Sequence, residues 1–399
     1  MNHPTLQLDP ARALPDDGTI GTLVARVWRP GALPGPAVAV VRDHGVYDIS
    51  GHYPTVSTLL ECDDPAARAQ AAAGERIGAL AEILANSDEA ARDPQRPFLL
   101  APCDLQVVKA AGVTFASSLI ERVIEEQAGG DPARAVAVRA QVQAQIGGDL
   151  SAVKPGSPQA LALKRVLQQQ KLWSQYLEVG IGPDAEVFTK APVLASVGTG
   201  AAIGIRSDSS WNNPEPEVVL AVNSRGRIVG ASLGNDVNLR DIEGRSALLL
   251  GKAKDNNASC AIGPFLRLFD ASFTLEQVRR EVVQLQVDGP EGFRMLGINS
   301  MAQISRDPLE LVAQTVAMHQ YPDGFMLFLG TLFAPTQDRD QPGGGFTHKL
   351  GDRVSIRSPW LGELCNRVTH SERAAPWRFG LRAFINNLAA RGLLTGGEL

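Results

Sequence analysis

"EPEVVLAVNSRGRIVGASLGND" (residues 215–236) decides how the rest of the chain is read. Two apolar runs flank the turn sequence Asn223-Ser224-Arg225-Gly226, which is the pattern of an antiparallel hairpin. The first run opens with Glu215 and Glu217. Side chains alternate along a strand, so these two carboxylates project side by side. Like charges that close repel unless a cation or a proton lies between them. A solvated strand edge is the plainer reading of Glu-x-Glu alone, so the neighbours must decide. If Val222 pairs with Arg227, Glu217 falls opposite Ser232 and Glu215 opposite Gly234, with Asp236 just beyond. Three carboxylates then share one end of the hairpin. An all-oxygen cluster of this kind suits Mg²⁺, Mn²⁺ or Ca²⁺ rather than zinc, and no histidine lies near it.

Further short strands follow on either side. "APVLASVGTGAAIGI" (191–205), "GFRMLGINS" (292–300), "GFMLFLGTLFAP" (324–335) and "DRVSIRSPWLGELCNRV" (352–368) are apolar or alternating and punctuated by Gly and Pro. That punctuation predicts antiparallel sheets folded on themselves, not β-α-β repeats. "LQVVKAAGVTF" (105–115) reads as a buried strand leading to a helix capped by Ser117. Residues 117–178 are helical in pattern, broken by "GGDLSAVKPGSP" (147–158). Earlier, residues 21–50 read as short strands and residues 64–87 as a helix. Trp377, Leu381, Phe384, Ile385 and Leu388 fall at the spacing of a C-terminal helix docked on the core or on a second subunit. The chain is thus expected to be α+β. A small α+β unit spans residues 1–100, and a β-rich domain spans residues 101–399, with its helical segment at 117–178 and its β core at 190–370.

Composition narrows the partners. The 399 residues carry a formal net charge of -5, with 44% hydrophobic and 20% charged residues, so nothing suggests binding to nucleic acid. No apolar run is long enough to span a bilayer, and the N-terminus lacks a basic stretch followed by an apolar one. Cys62, Cys103, Cys260 and Cys365 lie far apart, as in a cytoplasmic protein with reduced thiols.

Four pieces occur in order across residues 192–368: Glu215-Pro216-Glu217, Asn235-Asp236 with Arg240-Asp241, Lys254 ahead of Gly263-Pro264, and Gly330-Thr331. In order and rough spacing they resemble the fumarylacetoacetate hydrolase superfamily. The resemblance implies mixed, rolled sheets and at least a homodimer. It also implies Mg²⁺ or Mn²⁺ held by Glu215, Glu217 and Asp236, gripping a 2-keto acid. Lys254 would sit beside the substrate, with Lys252 as a competing match, and Thr331 would bind its carboxylate. Arg240 would be structural, orienting a ligand carboxylate. Arg206, Ser207 and Asp208, just ahead of the acidic pair, could bind a polyhydroxylated substrate, although a plain turn fits them equally.

The reaction is decided near residues 112–126. Hydrolases of the superfamily carry G-x-N-Y-x-x-H-x-x-E there, and the histidine activates water. This chain has Gly112, Thr114, Phe115, Ser118 and Glu121 at those positions. It looks like the variant in members that dehydrate 2-keto-3-deoxy sugar acids. The expected activity is dehydration of a 2-keto-3-deoxypentonate to 2-oxoglutarate semialdehyde. Lys254 would be the base at C3, and Glu121, with Glu125 or Glu126 as alternates, would help the C4 hydroxyl leave. Two other readings remain. One is C–C hydrolysis of a 2,4-diketo acid, for which His348 could swing in from "QPGGGFTH" (341–348). The other is a non-catalytic keto-acid-binding protein, against which the cost of keeping three clustered acids counts.

Overall fold

The hairpin lies in the middle of an eleven-stranded sheet. A computed structural model describes residues 5–145, 153–341 and 345–394, and in it the two strands are Pro216–Val222 and Ile228–Asp236. On one side Pro216–Val222 pairs antiparallel with Phe325–Phe328. Phe325–Phe328 pairs parallel with Val107–Gly112, and Glu186–Ala191 closes that edge. On the other side Ile228–Asp236 pairs with Cys260–Leu268, which pairs with Leu23–Arg29. Gly35–Arg42, Gly45–Asp48 and Glu75–Gly78 continue the sheet. The strands of residues 1–100 therefore share one sheet with the acidic hairpin. A second, five-stranded sheet runs in the order Arg294–Ser300, Val282–Asp288, Arg353–Ser358, Gly362–His370 and Ala202–Ile205. Its last pair is parallel. Both of these large sheets are therefore mixed, and the architecture is α+β.

The hairpin reads as a continuous apolar run because both of its faces are covered. Val218, Leu220 and Val222 pack against Leu285, Val354, Ile356 and Leu364 of the second sheet. Val219 and Ala221 face the other way, into a cluster with Val24, Val40 and Met326 under the helices Val56–Leu60 and Pro65–Ala71. The helical segment consists of Ala116–Ala128, Pro132–Gln145, Pro158–Gln169 and Gln175–Ile181. Of the break expected at 147–158, residues 147–152 lie outside the described residues.

Several local expectations need correction. Asn223, not Val222, closes the turn onto Arg227, and a bulge after Ala221 adds a residue to the second strand. Glu217 therefore pairs with Gly234, and Ser232 with Val219. Residues 64–87 form two helices, Pro65–Ala71 and Leu80–Ala85, separated by the strand Glu75–Gly78. Gly74 lets that strand approach, since a Cβ there would lie 2.7 Å from the Asp48 carbonyl oxygen. The helix Ala116–Ala128 is preceded by Phe115 with no side-chain cap, so Ser117 does not cap it. Trp377 precedes the C-terminal helix Leu381–Ala390, in which Phe384 and Leu388 are buried and Leu381 and Ile385 are exposed.

Candidate metal centre and active site

The register brings the three acids together. Asp236 donates its backbone N–H to the Glu215 carbonyl at 3.0 Å, which sets the two residues across from each other. Residues facing each other across antiparallel strands share a face, and so do residues two apart. One carboxylate oxygen from each of Glu215, Glu217 and Asp236 accordingly lies within 4.8 Å of the others. They are 3%, 1% and 1% exposed. Asn235 Oδ1 accepts the Glu215 N–H at 3.1 Å and fixes the start of the strand. Glu217 Oε2 accepts the Gly330 N–H at 2.6 Å. Gly330 holds φ at +96°, and a Cβ there would overlap Thr114 Oγ1. Only glycine presents its N–H to Glu217 without strain at that point.

Cations surround these acids. Lys254, at the end of the short helix Leu250–Lys254, places Nζ 2.5 Å from Glu215 Oε2 and 3.1 Å from Asp236 Oδ2. Lys190 Nζ lies 2.7 Å from Asp236 Oδ1 and also donates to the carbonyls of Lys254 and Val237. Arg122 reaches from the helix Ala116–Ala128 to Glu215, and lies 2.6 Å from Glu125 and 3.1 Å from Glu243. Arg240 bonds Glu125 at 3.1 Å and Asn213 at 2.9 Å, so it orients Glu125 and not one of the three clustered acids. Lys252 is exposed and pairs with Asp208 at 3.3 Å.

The balance of charge matters because the cluster is dry. Burial, then Asp236 and Glu215, push the Glu217 carboxyl well above the usual range. Burial would raise Asp236 too, but Lys190 and Lys254 outweigh it and hold that carboxyl low. For Lys254, burial favours the neutral amine, yet Asp236, Glu215 and Glu243 outweigh it and hold the ammonium. Glu186 is pushed to about 7, first by burial and then by Glu243. The acids Glu125, Glu186, Glu215, Glu217, Asp236 and Glu243 thus face the cations Arg122, Lys190, Arg240 and Lys254. With all groups ionised, two negative charges are left over. The three carboxylates of Glu215, Glu217 and Asp236, with that excess buried, suit a hard divalent cation such as Mg²⁺ or Mn²⁺.

A cavity of about 20 Å³ opens at the cluster, lined by Glu215, Glu217, Asp236, Lys254 and Thr331 together with Gly112, Ser118, Arg122, Glu186, Phe188 and Glu243. That is room for roughly one water-sized group. Ser118 donates its hydroxyl to the Phe115 carbonyl at 2.8 Å, and Thr331 Oγ1 donates to the Phe333 carbonyl at 3.0 Å. Glu121 does not join them. Residues 118, 122 and 125 share the helix face turned to the acids, and Glu121 flanks that face and pairs with Arg139. Glu125 is held by Arg122 and Arg240, and Glu126 accepts from Gln175 at 2.8 Å. Arg206 and Asp208 pair with each other at 2.7 Å, and neither they nor Ser207 line the cavity. His348 is buried 2.9 Å from Asp352, which Arg339 clamps at 2.7 Å, and it is not in the cavity wall. Residues 342–344 of its loop lie outside the described residues.

The sequence reading missed Arg122, Glu186, Lys190 and Glu243. Two of them had a visible signal. Glu186, Phe188 and Lys190 alternate along one strand, so all three project to one face, and a lone acid and a lone lysine on an otherwise apolar strand face are uncommon without partners.

The fold is that of the fumarylacetoacetate hydrolase superfamily. It is similar to the probable 2-keto-3-deoxyxylonate dehydratase of Haloferax volcanii, 31% identical over 202 residues, covering 51% of this chain and 66% of that protein. It is also similar to the 2-dehydro-3-deoxy-D-arabinonate dehydratase of Saccharolobus solfataricus, 32% identical over 161 residues, covering 39% of this chain and 51% of that protein. The matched stretches span less than two thirds of either relative. Among solved structures, a 2-keto-3-deoxy-D-arabinonate dehydratase complexed with magnesium and 2,5-dioxopentanoate matches with a TM-score of 0.61 and 20% identity, over 88% of this chain and 99% of that one. A 5-carboxymethyl-2-hydroxymuconate delta-isomerase from Mycobacterium smegmatis matches with a TM-score of 0.51 and 18% identity, over 87% and 98%. These two likenesses are of fold, and the fold hosts more than one reaction. No family model matches the chain.

Proposed function

We propose that the protein is a divalent-metal-dependent dehydratase that converts a 2-keto-3-deoxypentonate to 2-oxoglutarate semialdehyde. The observation that carries this reading is the cavity wall. It holds the three acids, Lys254 and Glu186 but, among the described residues, no histidine to activate water. The similarity to proteins named as dehydratases of such acids supports it.

Bound by Glu215, Glu217 and Asp236, Mg²⁺ or Mn²⁺ would supply Lewis acidity to the keto oxygen of the substrate. Lys254 Nζ takes the C3 proton. Its ammonium is held by Glu215 and Asp236, so its basic form is reached only when the negative charge of those acids is offset. The C4 hydroxyl leaves as water after accepting a proton from Glu186, whose carboxyl is partly protonated near neutral pH. Glu186 thereby replaces Glu121, whose carboxylate faces Arg139. Arg122 holds Glu215 in place, and Thr331 hydrogen-bonds the substrate carboxylate. A five-carbon acid exceeds the room present, so its entry requires the cavity wall to shift.

A carboxyl group poised near neutrality could also activate water against a 4-keto carbon, which is the hydrolase reading. Competition between a 2-keto-3-deoxypentonate and a 2,4-diketo acid, with products resolved by mass, separates the two. Loss of water from the sugar acid is the expected dominant event, and pyruvate formed from the diketo acid as the main product would reject the proposal.

A further inference from the structure

One edge of the second sheet is open. Arg294–Ser300 is its outermost strand, and Val282–Asp288 is its neighbour in the sheet. The phase of that pairing follows from the bonds at its two ends. Gly289 N–H donates to the Phe293 carbonyl at 2.9 Å, and Met301 N–H donates to the Glu281 carbonyl at 2.8 Å. In an antiparallel ladder, residues that exchange backbone bonds alternate with residues that do not. Met295, Gly297 and Asn299 therefore bond inward, and the N–H and C=O groups of Leu296 and Ile298 point off the sheet. Among the described residues, no loop or side chain bonds them. The ends of the strand are engaged instead. Gln337 Nε2 donates to the Arg294 carbonyl at 3.1 Å, and Ser300 N–H donates to Asn299 Oδ1 at 2.8 Å.

The side chains on this open stretch are bare as well. Leu296 and Ile298 are 67% and 65% exposed. They share the outer face of the sheet, where a groove of about 260 Å³ runs past Gln284 and Gln286. Edge strands are ordinarily blunted by lysine, proline or a bulge, or covered by a loop or helix. Arg294–Ser300 has no lysine or proline, and its ladder has no bulge. The guanidiniums around it are all answered: Arg294 by Asp288 at 2.7 Å, Arg12 by Glu363 at 2.7 Å and Arg357 by Asp16 at 2.5 Å. A surface that meets its own copy across a two-fold axis has to carry little net charge, because like charges would face each other. This edge is apolar at its centre and neutral around it.

We propose that this edge docks a second copy of the chain, strand to strand, about a two-fold axis at Gly297. Leu296 then exchanges backbone hydrogen bonds with the partner's Ile298, and Ile298 with the partner's Leu296. This register matches apolar with apolar, since Leu296 lies beside the partner's Ile298 on the outer face. Arg294 falls opposite the partner's Ser300, so the two copies' arginines sit at opposite ends of the pair. A register centred on Leu296 would set Arg294 beside the partner's Ile298. One centred on Ile298 would set Leu296 beside the partner's Ser300. Gly297 at the axis also suits the inner face, where a Cβ would lie 2.8 Å from the Phe333 ring. The result is one continuous sheet across both copies. This inference is independent of the dehydratase reading.

The test compares the full-length wild type with Ile298→Lys and Leu296→Lys, each a charge placed on an exposed edge position, which should leave the circular dichroism unchanged. Two variants keep the test valid if one of them misfolds. Light scattering after gel filtration, at one high micromolar concentration, should give the wild type twice the mass of either variant. Hydrogen exchange across residues 294–300 should be at least about tenfold slower in the wild type than in Leu296→Lys, because the edge amides become paired. Equal masses would overturn the proposal in either of two ways. If all three proteins are monomers, the edge is left to an extended peptide of another protein. If all three are dimers, another surface joins the copies. Equal exchange across residues 294–300 would likewise overturn the pairing of strands.

Discussion

Arg122 holds three carboxylates at once, Glu125, Glu215 and Glu243, from a buried position on the helix Ala116–Ala128. Replacing it with methionine keeps much of the volume but leaves those acids without their cation. Breaking a buried ion pair by removing one partner costs about 3–5 kcal/mol. Urea denaturation of Arg122→Met at neutral pH should show a loss of that order, and a loss within the error of a surface substitution would remove Arg122 from the centre of the network. A second residue, Glu281, sets a pH dependence. It is 1% exposed, and burial, only partly offset by hydrogen bonds from Ser358 and the Val282 amide, pushes its carboxyl from 4.5 to about 7. The folded state then binds this proton more tightly than the unfolded chain does. Its stabilising contribution is complete below pH about 4.5 and fades as pH rises through about 7. At about 1.4 kcal/mol for each pH unit between 4.5 and about 7, the contribution is at most about 3.5 kcal/mol. Glu281→Gln should flatten the fall in stability across that window, and an unchanged slope would show that Glu281 ionises normally.

Elements place these residues, and their legibility in the sequence was uneven. The hairpin could be recognised because residues buried on both faces leave a continuous apolar run around a turn sequence. Its register could not be read, because the bulge after Ala221 leaves no mark in the composition. The pairing of Asp236 with Glu215 follows from that bulge, yet the three acids could be grouped without it, since Glu215 and Glu217 share a face whatever the register. The helix Ala116–Ala128 was legible as a helix, but not the direction in which it presents each side chain. Its phase is set by Leu119, Val123 and Ile124 packing into the helical segment, which turns Arg122 to the acids and Glu121 to Arg139. Glu186 and Lys190 escaped notice because their strand was not recognised as one. The loop after Phe325–Phe328 gives the test at this scale. Gly330→Ala adds a Cβ at φ +96°, against Thr114, and displaces the N–H that Glu217 accepts. Backbone strain of this kind costs of order 1–3 kcal/mol. The variant should unfold at lower denaturant and bind Mg²⁺ more weakly, and wild-type values for both would show that the loop does not hold Glu217.

For the whole molecule, the eleven-stranded sheet ties the N-terminal strands to the acid-bearing hairpin through Cys260–Leu268, so events at the acids bear on the stability of the whole sheet. A cation that binds only the folded chain stabilises it by mass action, by about 2.7 kcal/mol at a hundredfold excess over its dissociation constant. Mg²⁺ should therefore raise the melting temperature, and a chelator should reverse the rise. The net charge of -5 gives a weak, diffuse attraction for any cation, so specificity has to come from Glu215, Glu217 and Asp236. Calorimetric titration of Mg²⁺ into the wild type and into Glu217→Ala tests this directly. The wild type should bind one ion per chain, and the variant, folded by circular dichroism, should lose at least about a hundredfold in affinity, as removal of a direct charged ligand implies. Equal affinity and stoichiometry in the two proteins would contradict the assignment of the metal to these three acids.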